Sequence, residues 1–147
     1  MDKSLEGNRG KPFRVVVEEG KIREFARATR SSNPAYLAEA QPPAVSPVTF
    51  LASSVFWQGP ESSPWGQATL NWERILHGEQ EFTFPGPPPA AGTVLVAQSR
   101  IDRIYEKEGK RGGTMTFAEV VTEYRDESGA VVAESRATVI ETSQAPQ

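Results

Sequence analysis

Hydrophobic and polar positions recur along this chain with two different periods, and the change of period divides it. Residues 46–57 are the most apolar stretch, with Val48, Phe50, Leu51, Ala52, Val55, Phe56 and Trp57 relieved only by Ser, Thr and Pro. Ser46 is a suitable N-cap, Pro47 fits the first helical position, and Gly59-Pro60 stops the run, so one short helix is predicted. A helix apolar on nearly every side is expected to be enclosed, with Phe50, Leu51, Val55 and Phe56 beneath a sheet. Upstream, residues 13–17 are short and β-rich. In residues 21–29, Ile22, Phe25, Ala26 and Thr29 fall at i, i+3, i+4 and i+7, one face of a second helix. Lys and Arg fill its other face and are read as solvated surface.

From Leu70 the period becomes two. Gln80-Glu81-Phe82-Thr83-Phe84 alternates until Pro85-Gly86-Pro87-Pro88-Pro89 stops it. Residues 94–106, 114–125 and 130–142 are long β-like runs, separated by turn residues at 109–113 and 126–129, which predicts a meander of hairpins. Strands of ~12 residues span about 40 Å, and one short helix covers such a sheet only if the sheet curls. A long curled antiparallel sheet wrapped around a central helix is the α+β architecture of a hot-dog fold. One domain over residues 1–147 is expected, with residues 1–10 and 143–147 as flexible ends, the latter reading as a tail or the start of a linker. The loops at 30–45 and 58–67 are long or Pro-rich. Trp65, inside the second, is read as a plug at the core edge.

Composition narrows the function. The 147 residues carry a net charge of -3, no Cys and one His. No basic run marks a nucleic-acid surface, and no apolar stretch approaches the ~20 residues of a membrane span. Thiolate and all-His metal sites within one chain are excluded, and no metal site is assigned. Without a signal-peptide core at the N-terminus, a cytoplasmic location is expected.

Candidate chemistry lies between the two helices. Phe25-Ala26-Arg27-Ala28-Thr29-Arg30-Ser31-Ser32-Asn33-Pro34-Ala35-Tyr36 resembles the MaoC-like or hydratase-2 signature, Phe-Ala-x-x-Thr/Ser-Gly-Asp-x-Asn-Pro-x-His. Leu76-His77-Gly78-Glu79-Gln80-Glu81-Phe82 and Lys110-Arg111-Gly112-Gly113-Thr114-Met115-Thr116-Phe117 resemble segments of the FAS1-like dehydratase N-terminal subfamily. The resemblance runs from about residue 13 to 141. It implies water addition to a trans-2-enoyl thioester, or its loss from a (3R)-hydroxyacyl thioester, with the signature's Asp and His activating one water. Backbone donors near the start of the buried helix would hold the thioester oxygen. No cofactor is implied beyond coenzyme A as part of the substrate.

Here Ser31 stands where the signature has Asp, Tyr36 where it has His, and Arg30 where it has Gly. Ser and Tyr titrate far from neutrality, and residues 27–37 hold no carboxylate or His, so no catalytic residue is assigned. His77 with Glu79 or Glu81 is the minority acid/base candidate, read first as a structural residue beginning a strand. The central helix lacks the carboxylate that hot-dog thioesterases usually place there, and Ser53 and Ser54 are read as packing residues. The expected role is the non-catalytic half of a heteromeric enoyl-CoA hydratase or 3-hydroxyacyl-thioester dehydratase, in lipid metabolism. Its partner would be a second MaoC-like hot-dog chain carrying Asp and His, joined edge to edge in a heterodimer or heterotetramer. By resemblance the acyl group is long or bulky, such as a steroid side chain or very long fatty chain, on coenzyme A or an acyl carrier protein. Phe50, Phe56 and Trp57 are expected to line its tunnel. Lys107, Lys110 and Arg111 are candidates for the coenzyme A phosphates, a solvated turn being their simpler reading. The alternatives are an acyl-carrier-protein dehydratase subunit, a homodimeric thioesterase using His77, and an acyl-CoA binding module.

Overall fold

A computed structural model describes residues 1–37, 44–109 and 113–144 of the chain. Five strands, β1 (Phe13–Val16), β2 (Ile75–Thr83), β3 (Val94–Glu108), β4 (Thr114–Arg125) and β5 (Val131–Glu141), form one sheet in the order β1-β3-β4-β5-β2. Every neighbouring pair is antiparallel. The meander expected from the period-two runs holds for β3, β4 and β5. The turn residues Gly113 and Gly129 adopt φ +79° and +86°, a left-handed conformation that glycine enters without penalty. β2 lies beyond β5 rather than beside β3, so the chain crosses under the sheet after it. With helices α1 (Glu19–Ala28) and α2 (Pro34–Leu37) and a 3-10 helix at Phe50–Trp57, the architecture is the α+β hot-dog.

The inner face of β3 shows why the sheet needs a cover. Leu95, Ala97, Ser99 and Ile101 are buried at every second position, until the register shifts between Ile101 and Arg103 and moves the inward phase to Ile104. Val15 and Val17 from the β1 end, Ile22 of α1, and Phe50 and Leu51 of the 3-10 helix pack onto that face with Tyr124 and Ala133. The outer face is ionic. Arg100 and Arg136 flank Val121 in register, and their stems leave it fully buried while their heads pair with Asp102, Glu119 and Glu123.

Three expectations need correction. The central helix does not start at Ser46. The backbone there is tied to the segment at 89–91, through Ser46 N–H to Pro89 C=O and the Val45–Ala90 bridge, and the helix begins at Phe50. It is a 3-10 helix, and the Ser53 hydroxyl donates to the Phe50 carbonyl at 2.7 Å. Nor is it enclosed. Phe50 and Leu51 are buried, but Val55 is 58% and Phe56 87% exposed, because only one side of an all-apolar helix meets the sheet. Residues 1–10 are not loose. Gly7 and Gly10 donate to the Ile101 and Ser99 carbonyls, Met1 and Leu5 pack beside Ile101 and Ile104, and a Cβ on Gly10 would lie 2.0 Å from the Ser62 carbonyl oxygen. At the other end, Ser143 and Gln144 are exposed, and residues 145–147 lie outside the described residues.

Two outcomes follow for stability. Leu51→Ala should cost about 2–5 kcal/mol, whereas Phe56→Ala should leave the melting temperature of the isolated chain within a degree or two; calorimetry of both variants checks this. The Arg136 hydrogen bond holds the Asp102 carboxyl below its usual range. That stabilisation is present above the unfolded carboxylate value near 3.9 and is lost as pH falls through the lower folded value. Denaturant titrations at pH 7 and at about pH 3 should therefore show the parent losing more stability than Asp102→Asn.

Candidate functional site

The segment that carries the signature residues is built by the end of α1. Ser31 N–H reaches back to the Ala26 carbonyl at 2.8 Å, and Arg30 N–H to that of Arg27 at 3.1 Å. These are the two bonds of a Schellman cap, which requires a left-handed residue at Arg30. Its φ is +55°, the single positive value at a non-glycine among the described residues. The backbone turn for which the signature has Gly is thus kept by an Arg. Beyond it, the Ser31 hydroxyl accepts from Asn33 N–H at 3.3 Å, and the Asn33 side chain accepts from Ala35 N–H at 3.0 Å, capping α2. Tyr36 is half-buried against the main core. The Ser31 hydroxyl and the Asn33 side chain thus serve the turn itself, and residues 27–37 hold no carboxylate or His.

Between α1 and the central helix lies a groove of about 460 Å³. Phe25, Phe56 and Trp57 form its apolar wall, and Glu18, Lys21 and Glu24 its rim. Its size suits a small-molecule site. Lys21 and Glu24 are paired at 2.8 Å, which raises the lysine's pKa and lowers the glutamate's, so both stay charged at the rim. The groove brings together two of the expected tunnel residues, Phe56 and Trp57. The third, Phe50, is sealed in the core and meets Phe25 edge to face at 5.7 Å between ring centres. Lys107 does not join them. It sits on the Tyr105–Phe117 stack at the far end of β3, more than ten residues from where β1 hands over to α1, roughly 40 Å of strand. Lys110 and Arg111 fall outside the described residues.

His77 is exposed on β2, the strand at the opposite edge of the sheet from β1. Glu79 and Glu81 are exposed as well, and a bulge at Gly78 separates His77 from both. Among the described residues none of the three has a hydrogen-bond or ion-pair partner that would orient it. The arrangement lacks the enclosure and second carboxylate contact that general-base chemistry needs.

A second space was not foreseen. Under the central helix, on the inner face of the sheet, a cavity of about 170 Å³ is lined by hydroxyls. Ser99, Thr122 and Ser135 lie in register across β3, β4 and β5, and Ser54 of the helix meets the Tyr124 hydroxyl at 2.8 Å. Burial pushes the Tyr124 pKa up, only partly offset by its hydrogen bonds with Ser54 and Ser135, so the phenol stays protonated. The signal in the sequence was Ser99 at an inward position of β3, between Ala97 and Ile101.

Comparison with known proteins gives these features a context. Residues 4–135 match the family described as FAS1-like, dehydratase domain region. UPF0336 protein SCO4636 of Streptomyces coelicolor is 34% identical over 137 residues, 88% of this chain and 87% of its own length. UPF0336 protein Rv0504c of Mycobacterium tuberculosis is 29% identical over 135 residues, 88% and 78% of the two lengths. Among solved structures, the C-terminally truncated HadBC (3R-hydroxyacyl-ACP dehydratase) complex from M. tuberculosis superposes with a TM-score of 0.75 at 23% identity, covering 95% of this chain and 98% of that one. A chain of the ChsH1–ChsH2 complex from the same organism gives 0.72 at 17% identity, covering 99% and 89%. The (R)-hydratase from A. caviae involved in PHA biosynthesis gives 0.63 at 18%, covering 94% and 98%. At these identities the structures speak for the fold.

The strained cap makes a direct test. A left-handed non-glycine costs about 1–2 kcal/mol, and the extra freedom of glycine in the unfolded chain returns roughly 0.5–1 kcal/mol of that. Arg30→Gly should therefore be neutral to stabilising by up to about 1.5 kcal/mol, and Arg30→Val destabilising; urea midpoints decide.

Proposed function

The chain belongs to the FAS1-like dehydratase family, and from that membership we propose that it is the non-catalytic half of a two-chain (R)-specific enoyl-thioester hydratase or 3-hydroxyacyl-thioester dehydratase. One observation carries the reading. The turn after α1 keeps its left-handed cap and its Asn33-Pro34 helix start, while Ser31 and Tyr36 occupy the positions of the signature's acid and base. The backbone survives where the proton-transfer chemistry does not. Such a chain works only if another supplies Asp and His.

Two further observations support a partner. β2 pairs with β5 along one side, and its other side is a nine-residue edge with no strand against it among the described residues. Free edges of that length are normally covered or paired. Beside the helix, Val48, Val55 and Phe56 leave apolar surface open. A second hot-dog chain joined at β2 would continue the sheet. The acyl group would run along the groove of Phe25, Phe56 and Trp57, and the partner would supply the water-activating residues. The acyl group would arrive as a thioester of coenzyme A or of an acyl carrier protein. The HadBC and ChsH1–ChsH2 structures are themselves two-component complexes, which favours the heteromeric reading over the thioesterase or a stand-alone binding module.

The test is reconstitution with the partner captured by the tagged chain. Alone, the purified chain should not hydrate enoyl-CoA; turnover near the ordinary ~1–1000 per second would refute the proposal. In the complex, Ser31→Ala and Tyr36→Ala should keep most of the activity, while loss of the partner's Asp should remove it. Phe56→Asp should reduce turnover of long acyl thioesters at least tenfold. Calorimetry with an unreactive acyl-CoA analogue should count one site per pair of chains.

A further inference from the structure

We infer that the cavity beneath the central helix is a recognition subsite for an oxygen-bearing, ring-sized group, a hydroxyl or carbonyl on a compact apolar frame. Its volume of about 170 Å³ is close to that of an engineered cavity known to hold benzene, and below the 300–1,000 Å³ of whole-ligand pockets. It suits the end of a ligand rather than all of one. Its lining decides the chemistry of that end. Phe13, Leu51, Trp65, Val120 and Ala137 are among its apolar walls, and hydroxyls and amides supply the polar ones.

A donor count shows what those groups have left to offer. The Tyr124 hydroxyl donates to the Leu51 carbonyl at 3.3 Å, and Ser54 Oγ can then donate to Tyr124 at 2.8 Å. Ser99 Oγ and Thr122 Oγ1 lie 2.8 Å apart, and only one of them can donate to the other. The second hydroxyl proton of that pair has no acceptor among the described residues. Gln58 Nε2, donating to the Ser62 carbonyl at 2.8 Å, also approaches Ser99 Oγ, at 3.4 Å, and so occupies a lone pair of Ser99 without using its proton. The spare proton therefore falls to Thr122 if Ser99 donates, or to Ser99 if Thr122 does, and in either case it borders the cavity. A buried donor without a partner is costly, and an oxygen of a bound group supplies the partner. A spare lone pair on Ser54 accepts in return if that oxygen is a hydroxyl. Exposed Ala52, Val55 and Gln80 at the lining mark the mouth, between the helix and the free edge of β2. Extending the inference to the acyl group of a thioester rests on the preceding reading; the preference for an oxygen-bearing group does not.

The experiment uses the chain alone and two probes of nearly equal size, phenol and toluene, titrated while the methyl resonances of Val120 and Ala137 are followed. Both probes should shift those methyls. The ratio of phenol to toluene affinity should fall about tenfold in Ser99→Ala/Thr122→Val. If that pair fails to fold, Thr122→Val alone should lower the ratio at least threefold. An unchanged ratio overturns the inference, and so does failure of both probes to move the Val120 and Ala137 methyls, which would leave the cavity a water site only. If the hydratase reading fails while the phenol preference holds, the subsite stands and only its assignment to an acyl group falls.

Discussion

The seat of the 3-10 helix on the sheet governs the rest of the structure. Phe50 and Leu51 are driven inward by apolar burial, but a helix this short also carries backbone carbonyls into the interior, and those need donors. Tyr124 provides one. From β4, its ring packs in the core while its hydroxyl reaches both Leu51 C=O and Ser54 Oγ. One side chain thus fixes the height of the helix over the sheet. The groove on the α1 side and the cavity on the sheet side are the two spaces left by that placement.

How much of this was legible depends on the kind of signal. Period and turn chemistry located α1, the three long strands and their hairpins, and the all-apolar run identified the helix that rests on the sheet. Periodicity failed where burial is set by neighbours rather than by the element. Val55 and Phe56 look as buried as Leu51 in sequence, yet no sheet lies on their side. β2 alternates cleanly at residues 80–84 but is largely exposed, because an edge strand has a neighbour on one side only. Residues 1–10 have no pattern since they are held by backbone bonds to β3 and by the close approach at Gly10, neither of which leaves a hydrophobic trace.

The candidate site divides the same way. The positions of Ser31 and Tyr36 were readable because a motif fixes them, and the structure adds that Arg30 sustains the turn. Lys107, for which a solvated turn is the simpler reading, rests on its own aromatic neighbours at the far end of β3. The hydroxyl row escaped notice because Ser and Thr are ordinary strand residues, and only the register of β3, β4 and β5 aligns Ser99, Thr122 and Ser135.

That row has a consequence for the conditions under which it works. Every group facing the cavity from it is neutral, and burial keeps the Tyr124 phenol protonated well beyond neutrality. Recognition by such a surface does not depend on ionic strength, since there is no charge for salt to screen. Nor does it change across the range in which histidines and carboxylates titrate. The charged outer face and the Lys21–Glu24 rim respond to the medium, whereas the interior is chemically deaf to it.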